Sequence, residues 1–137
     1  MRLNLSRWLV PVLLAGALAA PTLAHHSFAM FDMQKDVTVK GVVVEYIWAN
    51  PHVHVTVRVP EAPGTDPALV GLWDFECGGG TSIMSRQGWT KNTLKPGDPI
   101  HAVMHPLRDG NKGGALFYII KEDGSRMYTD IARPKAQ

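Results

Sequence analysis

The chain has 137 residues, 14 Lys plus Arg against 12 Asp plus Glu, and a single cysteine, Cys77. That length suits one compact domain with a real core and not two. Interspersed, nearly balanced charges exclude the basic field that holds nucleic acid by its phosphates, and a lone cysteine excludes an intramolecular disulfide.

In chain order, Arg2 and Arg7 come first, around the start of an uncharged apolar run over residues 8–20. Pro21 breaks the run, and Thr22-Leu23-Ala24 places small residues where a signal peptidase reads. The pattern predicts an export signal over residues 1–24 and a periplasmic or secreted mature chain, 25–137, that begins His25-His26-Ser27. A cut after Ala19 is the alternative, with Pro21 just beyond it, and an uncleaved anchor is a third outcome. The run is shorter than the roughly 20 apolar residues of a membrane span, so no span is expected after cleavage. The mature chain carries 12 Lys plus Arg, since Arg2 and Arg7 leave with the signal, against 12 Asp plus Glu.

Residues 25–36 have no clear period, but Phe28, Met30, Phe31 and Met33 predict that they pack on the rest of the domain. Residues 37–48 are Val-rich strand chemistry, with Gly41 marking a bend or bulge. Asn50-Pro51 predicts a turn. Residues 52–59 then alternate without a fault: Val53, Val55, Val57 and Val59 face one way, and His52, His54, Thr56 and Arg58 the other. The Pro-rich stretch 60–67 is a loop, and 69–76 reads as a third strand with Trp73 and Phe75 on one side. After Gly78-Gly79-Gly80, Thr81 is read as the cap of a short helix over 82–87 that Gly88 ends. Residues 99–106 alternate again, with Ile100, Ala102 and Met104 on the inner face. Residues 115–121 form strand five, and 126–129 add a short sixth.

Three strands, a short helix and two strands is the order of an OB-like barrel. The expected fold is therefore all-β: a small OB-like barrel of five to six strands with one short helix between strands three and four.

Several stretches together are distinctive. His25-His26-Ser27-Phe28, Trp48-Ala49-Asn50-Pro51-His52, Arg86-Gln87-Gly88-Trp89, Leu94-Lys95-Pro96-Gly97-Asp98 and His105-Pro106-Leu107-Arg108-Asp109-Gly110 resemble a family of small exported bacterial proteins of unknown function. The resemblance spans essentially the whole mature chain. It implies an exported, single-domain, all-β protein and brings no catalytic residue with it.

Chemistry centres on the histidines. A free N-terminal His25 offers an amine and a ring nitrogen to one metal ion, and such a nitrogen-rich set favours Cu(II). His26 adjoins it. His52 and His54 share a strand face, about 7 Å apart by the strand rise, a spacing from which two imidazoles can converge on copper or zinc. His101 and His105, about 13 Å apart, cannot share an ion on a regular strand. Met30 and Met33 are thioethers that suit Cu(I). The first expectation is a monomeric metal-binding protein, copper before zinc, with ligands drawn from His25, His26, His52 and His54. The second is a metal-free ligand- or partner-binding module in which Trp48, Thr56 and Arg58, with His54, contact a polyanion, glycan or protein. An oxidative copper enzyme would need a substrate surface that the sequence does not display.

Overall fold

The computed structural model describes residues 28–131. Its strands are β1 (Val37–Ile47), β2 (His54–Val59), β3 (Gly71–Glu76), β4 (Pro99–Pro106), β5 (Gly113–Lys121) and β6 (Arg126–Tyr128), with one short helix, α1 (Thr81–Arg86). β1 pairs antiparallel with β2 and β4, β2 with β3, and β4 with β5. A parallel pairing of β3 with β5 closes the ring. The barrel order is therefore β1-β2-β3-β5-β4, with β6 as an extra strand on β5. This is the OB-like arrangement, with the helix between strands three and four as the element order predicts.

Period-two patterning builds the core. Val53, Val55, Val57 and Val59 of the β2 segment are all buried, and so are Ile100, Ala102 and Met104 of β4. Trp73, Phe75, Trp89, Leu116 and Ile119 complete the same cluster. β1 serves two partners in turn: its first half pairs with β4 and its second with β2, and Val42 faces both Pro99 and Arg58. Gly41 precedes this handover. A Cβ there would stand 2.6 Å from Val57 Cγ1, so only glycine lets β1 cross β2 so closely. The bulge itself falls later, between Val43 and Glu45.

Two local features differ from the sequence reading. Thr81 is the first residue of α1, not its cap. Gly80 occupies the cap position without a side chain to offer, and Asn50 Oδ1 accepts from the Thr81 backbone N–H at 3.0 Å and from Thr81 Oγ1 at 3.2 Å. A side chain at Gly80 would fill the space that Asn50 needs. The Asn50-Pro51 turn, which contains a cis peptide, thus caps a helix 31 residues away. Second, residue 71, not 69, begins β3, because Pro67–Leu69 forms a 3-10 turn that Asp66 caps through the Ala68 N–H.

The segment before β1 lies on the outside of the barrel. Phe31 bridges to Leu107 and is buried in a second apolar cluster with Ala115 and Ile131, against which Met33 and Leu107 pack. The Asp32 N–H donates to Pro106 O, the Arg108 N–H to Met30 O, and Arg108 Nε to Ala29 O. Among the described residues no helix is long and apolar enough to cross a membrane.

Candidate functional site

The alternation that buries the valines of β2 sends His52, His54, Thr56 and Arg58 outward. β3 alternates in the same phase, so Trp73 and Phe75 go in while Asp74 and Glu76 come out. The β2–β3 register sets His54 opposite Glu76 and Thr56 opposite Asp74. Diagonal contacts complete the group. His54 Nδ1 lies 3.6 Å from Asp74 Oδ2, and His52 Nδ1 lies 3.3 Å from Glu76 Oε1. Thr56 Oγ1 donates to Asp74 Oδ1 at 3.5 Å, steadying that carboxylate. Two imidazoles and two carboxylates therefore share one patch on the outer face of β2 and β3, the face where OB-like barrels commonly bind ligands.

The two histidines differ. His52 is 17% exposed and its Nδ1 also faces Cys77 O at 3.3 Å, which fastens the ring to the end of β3. His54 is 34% exposed and more open to a ligand. The Asp74 carboxylate beside it raises its pKa above the ordinary histidine value, against a smaller opposing effect of partial burial. An imidazole whose Nδ1 faces a carboxylate carries its proton there in the neutral form, leaving Nε2 as the lone-pair nitrogen. Metal-binding histidines are commonly oriented in this way.

Cys77 follows Glu76 but points inward and is fully buried. Burial pushes its thiol pKa strongly up, and the neighbouring Asp130, Glu76 and Asp74 add to the shift. It is a small apolar filler, not a nucleophile or ligand.

The remaining candidates divide. Thr56 and Arg58 share the face of His54. Trp48 does not join them: it packs against the main core with its ring 6.1 Å from that of Tyr46. His25 and His26 lie outside the described residues. His101 and His105 are not brought together. His105 is fully buried, stacked on Phe117, with Nδ1 3.1 Å from Lys35 O and 3.3 Å from Asp36 Oδ1. Alternation puts it with Val103 on the face of β4 opposite Ile100, Ala102 and Met104, and there Lys35 and Asp36 of the segment before β1 cover it. Among the described residues, no group of three or more His, Cys, Asp and Glu side chains is arranged to hold a metal ion.

Asp74 and Glu76 are not among the site candidates that the sequence alone singles out. The signal that would have recovered them is the matched phase of β2 and β3. Antiparallel neighbours that both bury alternate residues must bring their polar residues to one face.

The molecule is thus a small OB-like barrel bearing an imidazole–carboxylate patch on its β2–β3 face. The chain belongs to the family of unknown function DUF6152, whose model matches residues 13–117. No curated protein and no solved structure matches it.

Proposed function

We propose that this is an exported copper-binding protein that holds one Cu(II) ion through a mature N-terminus at His25. The amine and ring nitrogen of His25 form the chelate, and His54 supplies a further imidazole, with His26 and His52 as neighbouring donors. Zinc is the second choice of metal, because a nitrogen-rich tetragonal set favours Cu(II). The role that fits is storage, delivery or sensing in the periplasm, with no catalytic residue.

One observation carries this reading: the His54–Asp74 and His52–Glu76 pairs stand side by side on an open sheet face. Chain geometry sets a condition on it. His54, Glu76, Ala115 and His105 follow one another in register across β2, β3, β5 and β4, and Phe31 packs on Ala115. Ala115 is two strands from His54, about 10 Å. Phe28–Met30 is a 3-10 turn held beside Arg108, and the three residues back from Phe28 to His25 span at most about 11 Å, so the reading requires the chain before Phe28 to run from that turn across β5 and β3 towards His54.

The test uses protein recovered from the periplasm, its N-terminus established by intact mass. One equivalent of Cu(II) should bind tightly and show a nitrogen-rich paramagnetic resonance spectrum. Extending the N-terminus by one residue should weaken binding strongly, since the amine becomes an amide that ligates only when deprotonated. Equal affinity with and without the extension would overturn the reading. The assignment would then move to a metal-free ligand-binding face, which the exposed Val42 and Leu72 on either side of Arg58 and the exposed Ile47 opposite His54 favour.

A further inference from the structure

We infer that two copies of this chain pair through the outer face of β1, as a weak two-fold dimer in place of the monomer expected from the sequence. This association is separate from copper binding, since none of the residues it uses is a proposed metal ligand.

Exposed apolar surface is concentrated on this strand. Val42, Val44 and Ile47 are three of the seven large apolar side chains exposed among the described residues. Leu72 is a fourth, in the same register row as Val42 with Arg58 between them. The bulge between Val43 and Glu45 is part of the cause. Strict alternation would turn either Val44 or Glu45 inward, but the extra residue leaves both exposed.

Charges of opposite sign bracket the valines. Lys40 stands before them on β1 and Glu45 after them, both exposed. Lys40, Glu45 and Arg58 take part in no ion pair among the described residues. β2 and β3 repeat the order: Arg58 is opposite Val42, whereas Thr56, with Asp74 beyond it, is opposite Glu45. One end of the face is therefore basic and the other acidic. Lys91 and Lys95 share a groove with Val44 and Glu45 on the other flank, where residues 97 and 98 run beside Val43. The ordered half of the face is thus the half that runs from β1 to β3.

Such a surface is complementary to itself. A two-fold axis that crosses β1 between Val42 and Val44 lays the β1 strands of two copies antiparallel and face to face. Lys40 of each copy then meets Glu45 of the other, Val42 meets Val44, and Arg58 meets the Thr56–Asp74 row. The contact is isologous, so each pairing occurs twice. From Lys40 to Ile47 the strand runs about 23 Å, and β1 to β3 are about 14 Å across, a footprint of about 300 Å² per copy. That is well under the roughly 800 Å² per partner of a standard interface. The pairing is therefore reversible, with a dissociation constant on the order of 10–100 µM.

The test is sedimentation equilibrium from about 5 to about 500 µM, a range that brackets that constant. The protein carries its native N-terminus, and a chelator is present so that no histidine–metal bridge stands in for the contact. Unmodified protein should show a monomer–dimer equilibrium. Lys40→Glu and Glu45→Lys should each weaken it at least about tenfold, because each puts two like-charge pairs in place of two attractive ones. The double variant restores both pairs and should dimerise within about threefold of the unmodified protein. An equimolar mixture of the two single variants should form mixed dimers, which tests the same pairing if the double variant fails to fold.

Monomer throughout, up to about 500 µM, would overturn the inference. So would a dimer that ignores both charge reversals, because its contact would lie on another face.

Discussion

Replacing Phe31 with alanine tests whether the segment before β1 is an integral part of the domain. Phe31 is 5% exposed, and its ring fills a cluster with Ala115, Ile131, Leu107 and Met33 on the outside of the barrel. A buried phenylalanine removes at least about 150 Å² from water, worth roughly 4 kcal/mol at 25 cal/mol per Å². Residual burial in the unfolded chain brings the expected loss for Phe31→Ala to about 3 kcal/mol. Urea unfolding followed by tryptophan fluorescence should then show a midpoint lowered by about 1–3 M with the slope unchanged. Hydrogen exchange at the Asp32 amide, which donates to Pro106 O, should accelerate in step. A midpoint shift below about 0.3 M, or less than 1 kcal/mol at ordinary slopes, would refute the reasoning. Phe31 would then be a loose appendage, and the segment that leads back to His25 would lose its anchor on the barrel.

Three further outcomes are expected. Asn50→Ala removes the acceptor that caps α1 and should cost about 1 kcal/mol, a fall of about 4–8 °C in Tm by calorimetry, whereas Asn50→Asp should retain most of it. In the metal-free protein the raised pKa of His54 contributes stability that is fully present below the ordinary histidine value and lost as pH rises through the raised one. The pair is partly exposed, so this contribution is below about 1 kcal/mol. Urea midpoints at pH 5.5 and 8 should accordingly differ less in Asp74→Asn than in the unmodified protein, and an identical difference would contradict the pairing. Cys77, buried with its thiol pKa pushed up, should resist a disulfide reagent at pH 8 in the folded protein and react at once in urea; rapid labelling of native protein would contradict its placement.

Elements with strict local patterning were readable from the sequence. The four valines of the β2 segment predict their own burial, and β4 does the same with Ile100, Ala102 and Met104. Gly41 marks the close approach of β1 to β2 where β1 passes from one partner to the other, but the position of the bulge depends on the partner strand and not on the glycine. What escaped were pairings between distant residues. Nothing near Thr81 says that Asn50 will cap it, because a bond over 31 residues needs the finished barrel. Likewise His105 lies opposite the inner face of β4 by periodicity, and its burial comes from Phe117 stacked on one side of it and from Lys35 and Asp36 that close over it. The site shows the same division. Alternation alone puts His54 outward, whereas its pairing with Asp74 follows from the register of two strands that sequence patterning cannot align by itself.

The arrangement along β5 has a further consequence, for association between copies of the chain. One edge of β5 is shared end to end: β3 pairs with residues 113–115 and β6 with residues 118–120. At the break between them, Thr129 Oγ1 donates to Leu116 O, and the Thr129 N–H to Phe117 O. Unpaired strand edges invite pairing with another molecule. β6 covers the one stretch of this edge that the closed barrel leaves open. Its own outer edge is three residues long and begins with a charged arginine that lies over the Tyr118 ring. A chain ending before Arg126 would still close its barrel through β3 and β5, but would display Tyr118, Ile119 and Ile120 as a bare apolar template for aggregation.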